Sequence, residues 1–247
     1  MATWDWQVFC KDTISQEVSP RCFGSGGDVT YLDWMMSAWG WTLSVSLLAL
    51  VLALVLGSLV GIMRTTPSKT LVRIGNAWTE LFRNIPILVQ IFLWYHVVPQ
   101  LYLPLQKVPS FLLVVVALGL FTSARVSEQV RAGIQSLPRG QSYAGLALGL
   151  TLPQTYRYVL LPMAFRIVVP PLTSESMNIV KNSSVAFAVS IAELTMFALQ
   201  AQEETSRGIE VYLAVTALYF ISAFAINRLA KVLEVHMRVP GVAGGGR

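Results

Sequence analysis

Long uncharged runs separated by short polar connectors make up most of this chain. The first run, Trp41 to Met63, carries no charged residue and is long enough to cross roughly 30 Å of hydrocarbon as a helix. Further spans are predicted at Ile85 to Leu105, Phe111 to Val130, Phe165 to about Val180, and Val211 to about Val232. The pattern predicts an all-α integral membrane protein with about five transmembrane helices.

One more apolar segment, Val185 to Leu199, is short for a crossing. It follows a polar break at Lys181 to Ser184, where non-helical backbone is tolerated only if protein covers it or it lines a cavity. We expect a half-depth or re-entrant helix here, and a full crossing stays open as the alternative.

Composition supports the same fold class. Hydrophobic residues make up 54% of the 247 residues and charged residues only 13%, about half the charged fraction of soluble domains. An ordinary soluble enzyme is therefore excluded. The formal net charge of +5 suits an anionic surface, but the basic residues form no dense patch interleaved with aromatic residues. We expect membrane lipid as a partner and no nucleic acid.

The distribution of basic residues predicts the orientation. The connector after the first span concentrates them: Arg64, Lys69, Arg73 and Arg83. The positive-inside rule puts this connector in the cytoplasm and the mixed-charge leader outside. The predicted domains are a periplasmic leader (residues 1–38), a transmembrane domain (39–235) and a cytoplasmic tail (236–247), with the N-terminus outside and the C-terminus inside.

The only two cysteines, Cys10 and Cys22, lie in the leader. In an oxidising periplasm they can close a short loop as a disulfide, or they can stay as two free thiols. No metal site is predicted, because His96 and His236 stand far apart and no Cys-x-x-Cys motif occurs.

The connector between the third and fourth spans, residues 134–165, predicts two short helices. Ser136 can act as the N-cap of the first helix, and Gly149 ends it. Thr151 can cap the second helix, and Pro162 ends that one. On local physics alone, these helices can pack back on their own bundle or present a docking surface.

This connector resembles the cytoplasmic signature of permease subunits of ATP-binding-cassette (ABC) importers. In that signature a Glu-Ala-Ala triplet is followed by a Gly and then by Ile-x-Leu-Pro. Here the triplet positions hold Tyr143, Ala144 and Gly145, the Gly is Gly149, and the ending is VLLP, which closes at Pro162.

The surrounding segments resemble the polar amino acid branch of these permeases, which has a MetI-like transmembrane domain. They are TELFRNIPILVQIF from Thr79, EQVRAGIQSLPRGQ from Glu128 and NIVKNSS from Asn178. FTSARVSEQVR from Phe121 is most similar to permeases of glutamate/aspartate importers.

The resemblance implies a multi-pass subunit of the bacterial inner membrane. It also implies three partners: a dimer of ATPase subunits, a second permease chain, and a periplasmic amino-acid-binding protein. The expected ATPase-docking residues are Tyr143, Ala144, Gly145, Gly149, Leu152, Pro153, Tyr156, Leu161 and Pro162. The chain has no Gly-x-x-x-x-Gly-Lys phosphate loop. We therefore expect a translocating subunit that is not an enzyme and binds no cofactor, with ATP and Mg²⁺ on the partner ATPase.

Two positions depart from the family signature. Tyr143 replaces Glu, and Gly145 replaces the second Ala. This favours a heterodimer in which a second permease carries the more usual triplet, and a homodimer stays open.

Ionisable residues inside spans are expensive, and they mark candidate substrate paths. The candidates here are Arg125, Glu128, Glu175, Asn178, Lys181, Asn182 and Ser183. Arg125 can pair with Glu128 three residues later, or it can face the path and meet a substrate carboxylate. Lys181 can serve as the counter-ion of Glu175 or Glu193, or as a ligand.

The functional hypothesis is the permease subunit of an ATP-driven importer for a polar amino acid, with glutamate or aspartate as the expected substrate. Alternatives are glutamine, arginine or a broader range of L-amino acids, and an ion-driven secondary transporter. A secondary transporter usually has more spans and an internal repeat, which the two halves of this chain lack. An intramembrane enzyme would need a nucleophile with a base, or a metal set, and none stands out.

Overall fold

The computed structural model describes residues 4–23 and 29–237, and the regular structure in these ranges is helical, with two isolated β-bridges in the leader. The α-helices in chain order are α1 (Tyr31–Met63), α2 (Lys69–Asn84), α3 (Ile87–Phe92), α4 (Val98–Leu101), α5 (Ser110–Gln135), α6 (Arg139–Ala147), α7 (Leu152–Thr155), α8 (Leu161–Asn182), α9 (Leu194–Thr205) and α10 (Gly208–Met237). Wider π-turns at Leu93–Val97 and Tyr156–Leu160 join α3 to α4 and α7 to α8. Short 3₁₀ helices occupy Trp6–Cys10, Leu103–Lys107 and Ser183–Val189.

Three of the described helices, α1, α5 and α10, are long and apolar enough to cross a membrane. Two further helix pairs, each broken by a bend, raise the number to five if each pair counts as one span. The prediction of an all-α membrane protein with about five spans is therefore confirmed. Its orientation stays a prediction, and most of the tail (238–247) lies outside the described residues.

The α-helix ends inside the predicted break at Lys181 to Ser184, because α8 stops at Asn182 and a 3₁₀ helix continues from Ser183 to Val189. The chain then turns at Ser190, whose φ of 59° is left-handed. The segment 185–199 is therefore two helical pieces separated by a turn, and not one continuous helix. A bend of this kind occurs in a broken span or in a re-entrant loop, so the re-entrant placement stays a prediction.

Side-chain hydrogen bonds explain why the chain stays helical after α8 ends. The Ser183 hydroxyl donates to the Val180 carbonyl, and the Ser184 hydroxyl donates to the Lys181 carbonyl, each at 2.7 Å. Bonds of this kind to the preceding turn are compatible with helical backbone. The two serines therefore mark the change from α-helix to 3₁₀ helix.

The described residues group into two compact units. The first contains residues from Met1–Leu48, Ile87–Leu118 and Val180–Ala223, and the second contains residues from Ala49–Pro86, Gly119–Ile179 and Phe224–Arg247. Because the boundaries fall within α1, α5, α8 and α10, each of these helices contributes residues to both units.

The core of the first unit joins the leader to α1, α9 and α10. Its buried residues include Val8 and Phe9 from the leader, with Leu194 and Phe197 from α9. Trp34 packs edge-on against Phe197, with ring centroids 5.2 Å apart. The leader is therefore part of this packed unit.

A disulfide and a buried turn shape the leader. Cys10 and Cys22 are bonded in the structure. The Asp12 carboxylate accepts hydrogen bonds from the N–H groups of Ser15, Ile14 and Val29 at 2.7, 2.9 and 3.2 Å. The bonds from Ser15 and Ile14 lower the pKa of the Asp12 carboxyl below its usual value.

In the second unit, α1 and α5 approach closely through small residues. A Cβ added to Gly57 would lie 2.6 Å from the Val126 Cβ, and one added to Gly61 would lie 2.7 Å from the Val130 Cβ. The small-xxx-small spacing lets two helices pack backbone to backbone within a membrane. This contact positions the C-terminal half of α5, which leads into the connector.

Candidate functional site

The connector begins with α6, which ends in a Schellman turn. Gly149 has a φ of 82°, in the left-handed region that glycine enters without a Cβ clash. The Leu150 N–H donates to the Gly145 carbonyl at 3.1 Å, and the Gly149 N–H donates to the Leu146 carbonyl at 3.0 Å. These bonds satisfy carbonyls that a helix end leaves open, so Gly149 determines where α6 stops, as predicted.

The start of α6 differs from the prediction. The Ser136 hydroxyl donates to the Gly133 carbonyl at 2.8 Å and closes the last turn of α5. The helix α6 begins only after Pro138. Ser136 is therefore not its N-cap, because it lies too early in the chain to reach the first free N–H groups of α6.

The helix α7 follows directly and packs against α6. The Gln154 Oε1 accepts hydrogen bonds from the Thr151 N–H and from the Thr151 hydroxyl, each at 2.8 Å. Thr155 is fully buried, and a Cβ on Gly145 would lie 2.9 Å from its Cγ2. Glycine at position 145 therefore lets the two short helices approach closely.

The other side of these helices carries exposed apolar groups. Tyr143 is 65% exposed, and Leu146, Leu148 and Leu152 are also exposed. Such a density of large exposed apolar side chains marks an interaction surface. Of the nine candidate docking residues, the structure exposes Tyr143, Ala144, Gly149, Leu152, Pro153 and Pro162, half-buries Tyr156 and Leu161, and buries Gly145.

Tyr156 points inward. Its hydroxyl donates to the Thr65 carbonyl at 2.8 Å and lies 3.1 Å from the Thr65 hydroxyl. Its ring packs against the buried core of the second unit. Tyr156 therefore anchors the connector to the segment after α1, and its hydroxyl is not available for docking.

Pro162 does not end the second helix, and that prediction is wrong. The preceding residues form a π-turn in which the Leu161 N–H donates to the Tyr156 carbonyl. The wider turn shifts the hydrogen-bond register just before the proline. The ring of Pro162 and its missing N–H then fall in the first turn of α8, where they cost little. The connector therefore runs directly into α8.

A buried arginine joins α1, α2 and α5 in the second unit. The Arg64 Nε donates to Asn76 Oδ1 at 2.8 Å, and its Nη1 donates to the Ser127 Oγ at 3.1 Å. Its Nη2 lies 2.8 Å from Glu128 Oε1. A buried charge is stable only when it is paired and hydrogen-bonded, and Arg64 meets both conditions through partners on two helices.

Arg125 does not form the pair with Glu128 that one reading of the sequence expected. Its Nη1 lies 3.5 Å from Glu175 Oε2 on α8. Glu128 is occupied by Arg64, and Arg83 and Arg131 each lie 3.7 Å from its carboxylate. The Arg125 side chain remains 42% exposed, so some of its N–H groups are accessible.

The remaining candidate path residues lie at the end of α8 and in the 3₁₀ helix that follows. Asn178 and Asn182 are half-buried, Ser183 is buried and Lys181 is exposed. Within the described ranges Lys181 forms no ion pair with Glu193, whose carboxylate accepts from the N–H groups at the start of α9. The pairing of Lys181 with Glu193 is therefore not observed, and its pairing with Glu175 stays a prediction.

Glu193 has a structural role that sequence reasoning missed. Its side chain is fully buried and caps α9, accepting from the N–H groups of Thr195 at 2.8 Å and Met196 at 3.0 Å. The Tyr219 hydroxyl donates to it at 2.8 Å. The only sequence signal was an acidic residue just before an apolar run, and glutamate is not among the usual N-caps.

The described residues contain no group of three or more His, Cys, Asp or Glu side chains that could hold a metal ion. The groups that the candidate sites present are an exposed apolar surface on α6 and α7, and a half-exposed arginine on α5 paired to α8.

Comparison with known proteins supports the family. The glutamate/aspartate import permease protein GltJ of Escherichia coli O6:H1 (strain CFT073) is 41% identical over 98% of this chain and 98% of its own length. The glutamate/aspartate import permease protein GltK of the same strain is 32% identical over 78% of this chain and 88% of its own. A crystal structure of an amino acid ABC transporter with histidines matches with a TM-score of 0.74 at 30% identity, covering 83% of this chain and 95% of that chain.

The family model described as the binding-protein-dependent transport system inner membrane component matches residues 53–239. This range includes the two short connector helices, the three glycines of the connector (Gly140, Gly145 and Gly149) and the Arg125–Glu175 pair. The chain belongs to the family of binding-protein-dependent transport system inner membrane components.

Proposed function

We propose that this chain is the membrane-spanning subunit of an ATP-driven importer that carries acidic amino acids, glutamate or aspartate, across the inner membrane. Its family consists of inner membrane components of binding-protein-dependent transport systems. The observation that carries the acidic assignment is the 41% identity to GltJ over 98% of both chains, which extends through the leader and the transmembrane helices together.

The Arg125–Glu175 pair supports an acidic cargo. The guanidinium of Arg125 presents five N–H donors in a planar fork, and its closest acidic contact is the 3.5 Å approach to Glu175. A substrate carboxylate could bind bidentately to the donors that remain accessible. Glu175 would hold the guanidinium in place and keep the cation from being stranded when no substrate is bound.

The exposed side of α6 and α7 is the proposed docking surface for the ATPase. Its apolar groups stand on a rigid base, because Gly145 packs against Thr155 and Tyr156 is bonded to Thr65. A π-turn makes α7 continuous with α8, so movement of the docking surface would be transmitted along the helix that carries Glu175. ATP and Mg²⁺ would bind to the ATPase, and α7 and α8 of this chain would transmit its movement to the transmembrane helices.

A second, non-identical permease is proposed as the partner within the membrane. GltJ and GltK occur in one strain under the same import function, and this chain departs from the family triplet at Tyr143 and Gly145. In the proposed orientation the leader is periplasmic, where it would face the amino-acid-binding protein, and the connector is cytoplasmic.

Competition for uptake tests the substrate. Uptake of labelled glutamate in cells or vesicles is measured with unlabelled aspartate, glutamine or arginine as competitor. Aspartate should compete and arginine should not. Inhibition by arginine or glutamine but not by aspartate would overturn the acidic assignment.

Three variants test the role of the ion pair. Arg125→Ala should abolish glutamate uptake, while Arg125→Lys keeps the charge but loses the planar fork and should retain part of the uptake. Glu175→Gln removes the carboxylate that holds the Arg125 guanidinium in place, so it should raise the KM for glutamate more than it lowers kcat. Equal uptake in Arg125→Ala and the unmodified chain would remove Arg125 from the path.

Copurification tests the docking surface. Tyr143→Ser and Leu148→Ser replace exposed apolar groups that contribute little to the fold, so they should reduce recovery of the ATPase subunit while the chain stays folded. Leu103→Ser, at an exposed position elsewhere in the chain, is the control. Unchanged ATPase recovery in both docking variants would contradict this placement.

A further inference from the structure

The helix α2 has three different faces, and the transport function proposed above uses none of them. The first face packs against the protein. Gly75 and Thr79 are buried, and the stem of Arg64 lies so close to Gly75 that an added Cβ would be 2.5 Å from its Cγ. The Thr79 and Ser127 hydroxyls are 3.2 Å apart.

The contacts of this first face show how α2 lies against α5. Trp78 Nε1 donates to the Ser123 Oγ at 3.1 Å, and the adjacent Thr79 contacts Ser127, one helical turn further along α5. These two positions on α5 are about 6 Å apart along its axis. The helix α2 is therefore anchored to the middle of α5 at two points.

The second face is apolar and exposed. Ile74 and Leu81 are each 54% exposed, and Leu71 is 38% exposed. With 100° per residue, these three positions fall within one narrow stripe of the helix surface. Water would disfavour such a stripe, whereas hydrocarbon would accept it.

The third face is charged and begins beside the stripe. Lys69 and Arg73, four residues apart, are exposed on it near the start of the helix, and Glu80 follows two turns later. A helix with an apolar stripe and Lys or Arg on the adjoining face is the type that lies in the plane of a membrane surface. The two cations complement the negative charge of anionic lipid headgroups.

We propose that α2 lies in the headgroup layer of the membrane. In this placement the Leu71–Ile74–Leu81 stripe enters the acyl chains, and Lys69 and Arg73 bind the phosphates of anionic phospholipids. Through Arg64 and Thr79, α2 holds the end of α1 and the middle of α5. The membrane surface would thereby brace the unit that carries α6 and α7. This placement does not depend on which amino acid is carried.

Nitroxide labels on the full chain in phospholipid vesicles test the placement of the stripe. Because both native cysteines are bonded to each other, a label attaches only to an introduced cysteine. Ile74→Cys and Leu81→Cys should be accessible to oxygen, which concentrates in the bilayer, and shielded from a water-soluble nickel complex. Glu80→Cys, on the charged face of the same helix, should show the opposite pattern and is the matched control.

Each other outcome of that experiment overturns the placement. Access of nickel to positions 74 and 81 would put the stripe in water. Shielding from both reagents would mean that protein, such as a second permease chain, covers it. The Glu80→Cys label detects a misfolded variant, because the contrast between faces disappears if α2 is not a helix.

Lipid retention tests the two cations. The ratio of phosphatidylglycerol to phosphatidylcholine that copurifies with the chain from mixed micelles is compared between variants. Each surface cation contributes roughly fivefold to anionic-lipid preference, so Lys69→Gln/Arg73→Gln, which removes two cations, should lower the ratio by about 25-fold. The control, Arg21→Gln/Lys107→Gln, removes the same charge from other exposed sites and should leave the ratio unchanged. Equal ratios in the two double variants would refute the phosphate contact.

Discussion

Replacing Gly149 isolates the part that backbone conformation plays in the connector. The residue has a φ of 82°, and an added Cβ would meet no atom within 4 Å. Gly149→Ala therefore costs only the left-handed backbone penalty of an L-residue, about 1–2 kcal/mol. Asparagine tolerates this region better, so Gly149→Asn should cost less than Gly149→Ala. Gly140, inside α6 with equally open surroundings, provides the control, because Gly140→Ala should stabilise α6 by up to about 1 kcal/mol.

Amide hydrogen exchange measures these effects locally. The reporter amides are those of Gly149 and Leu150, which donate to α6 carbonyls in the Schellman turn. A cost of 1–2 kcal/mol corresponds to exchange faster by a factor of about 5–30. Gly149→Ala should show this acceleration, Gly149→Asn a smaller one, and Gly140→Ala slower exchange. ATPase recovery should fall in the same order as protection falls.

The order of the variants decides whether the reasoning holds. If Gly149→Ala and Gly149→Asn accelerate exchange equally, the left-handed conformation is not the cause. If exchange is unchanged in Gly149→Ala, the Schellman turn does not hold α6 and α7 together. If exchange changes but ATPase recovery does not, the turn is structural and the docking surface lies elsewhere.

Three further sets of substitutions test contacts between elements. Gly145→Ala should weaken the packing of α6 on α7, because its Cβ would lie 2.9 Å from the Thr155 Cγ2. Adding Thr155→Ser removes that methyl group and should restore amide protection; independent effects of the two substitutions in the double variant would refute the clash. Arg64→Lys keeps the charge but loses the planar guanidinium that bonds to several partners. It should therefore destabilise the folded chain by about 1–3 kcal/mol, measured as a lower thermal midpoint in detergent. An unchanged midpoint would contradict the bridging role of Arg64. Cys10→Ser/Cys22→Ser opens a short loop and should cost about 3 kcal/mol, detected as faster proteolysis of the leader; cleavage at the rate of the unmodified chain would show that the core contacts of the leader suffice.

Local features of the chain were predictable because their causes lie within a few residues. Uncharged runs of membrane-crossing length indicated the helices, and the fold class follows from them. Gly149 ends the first connector helix and Thr151 caps the second, as expected, because a left-handed turn and a helix cap depend on residues within about one turn. The same reasoning failed at Ser136, where the serine closes the end of α5 and the next helix starts later, and at Pro162, where a π-turn allows the helix to continue.

Partners between helices could be decided only by the tertiary structure. The sequence alone suggests that Arg125 pairs with Glu128, because the two are three residues apart. In the folded chain, Arg125 pairs with Glu175 and Glu128 pairs with Arg64. The sequence places Tyr156 among the docking residues, but in the structure its hydroxyl donates to the Thr65 carbonyl. Sequence alone thus determined the spans, the connector and the family signature, since hydrophobicity and turn chemistry act locally. Which charges meet and which surfaces remain exposed depends on how distant helices pack, and no local pattern encodes that.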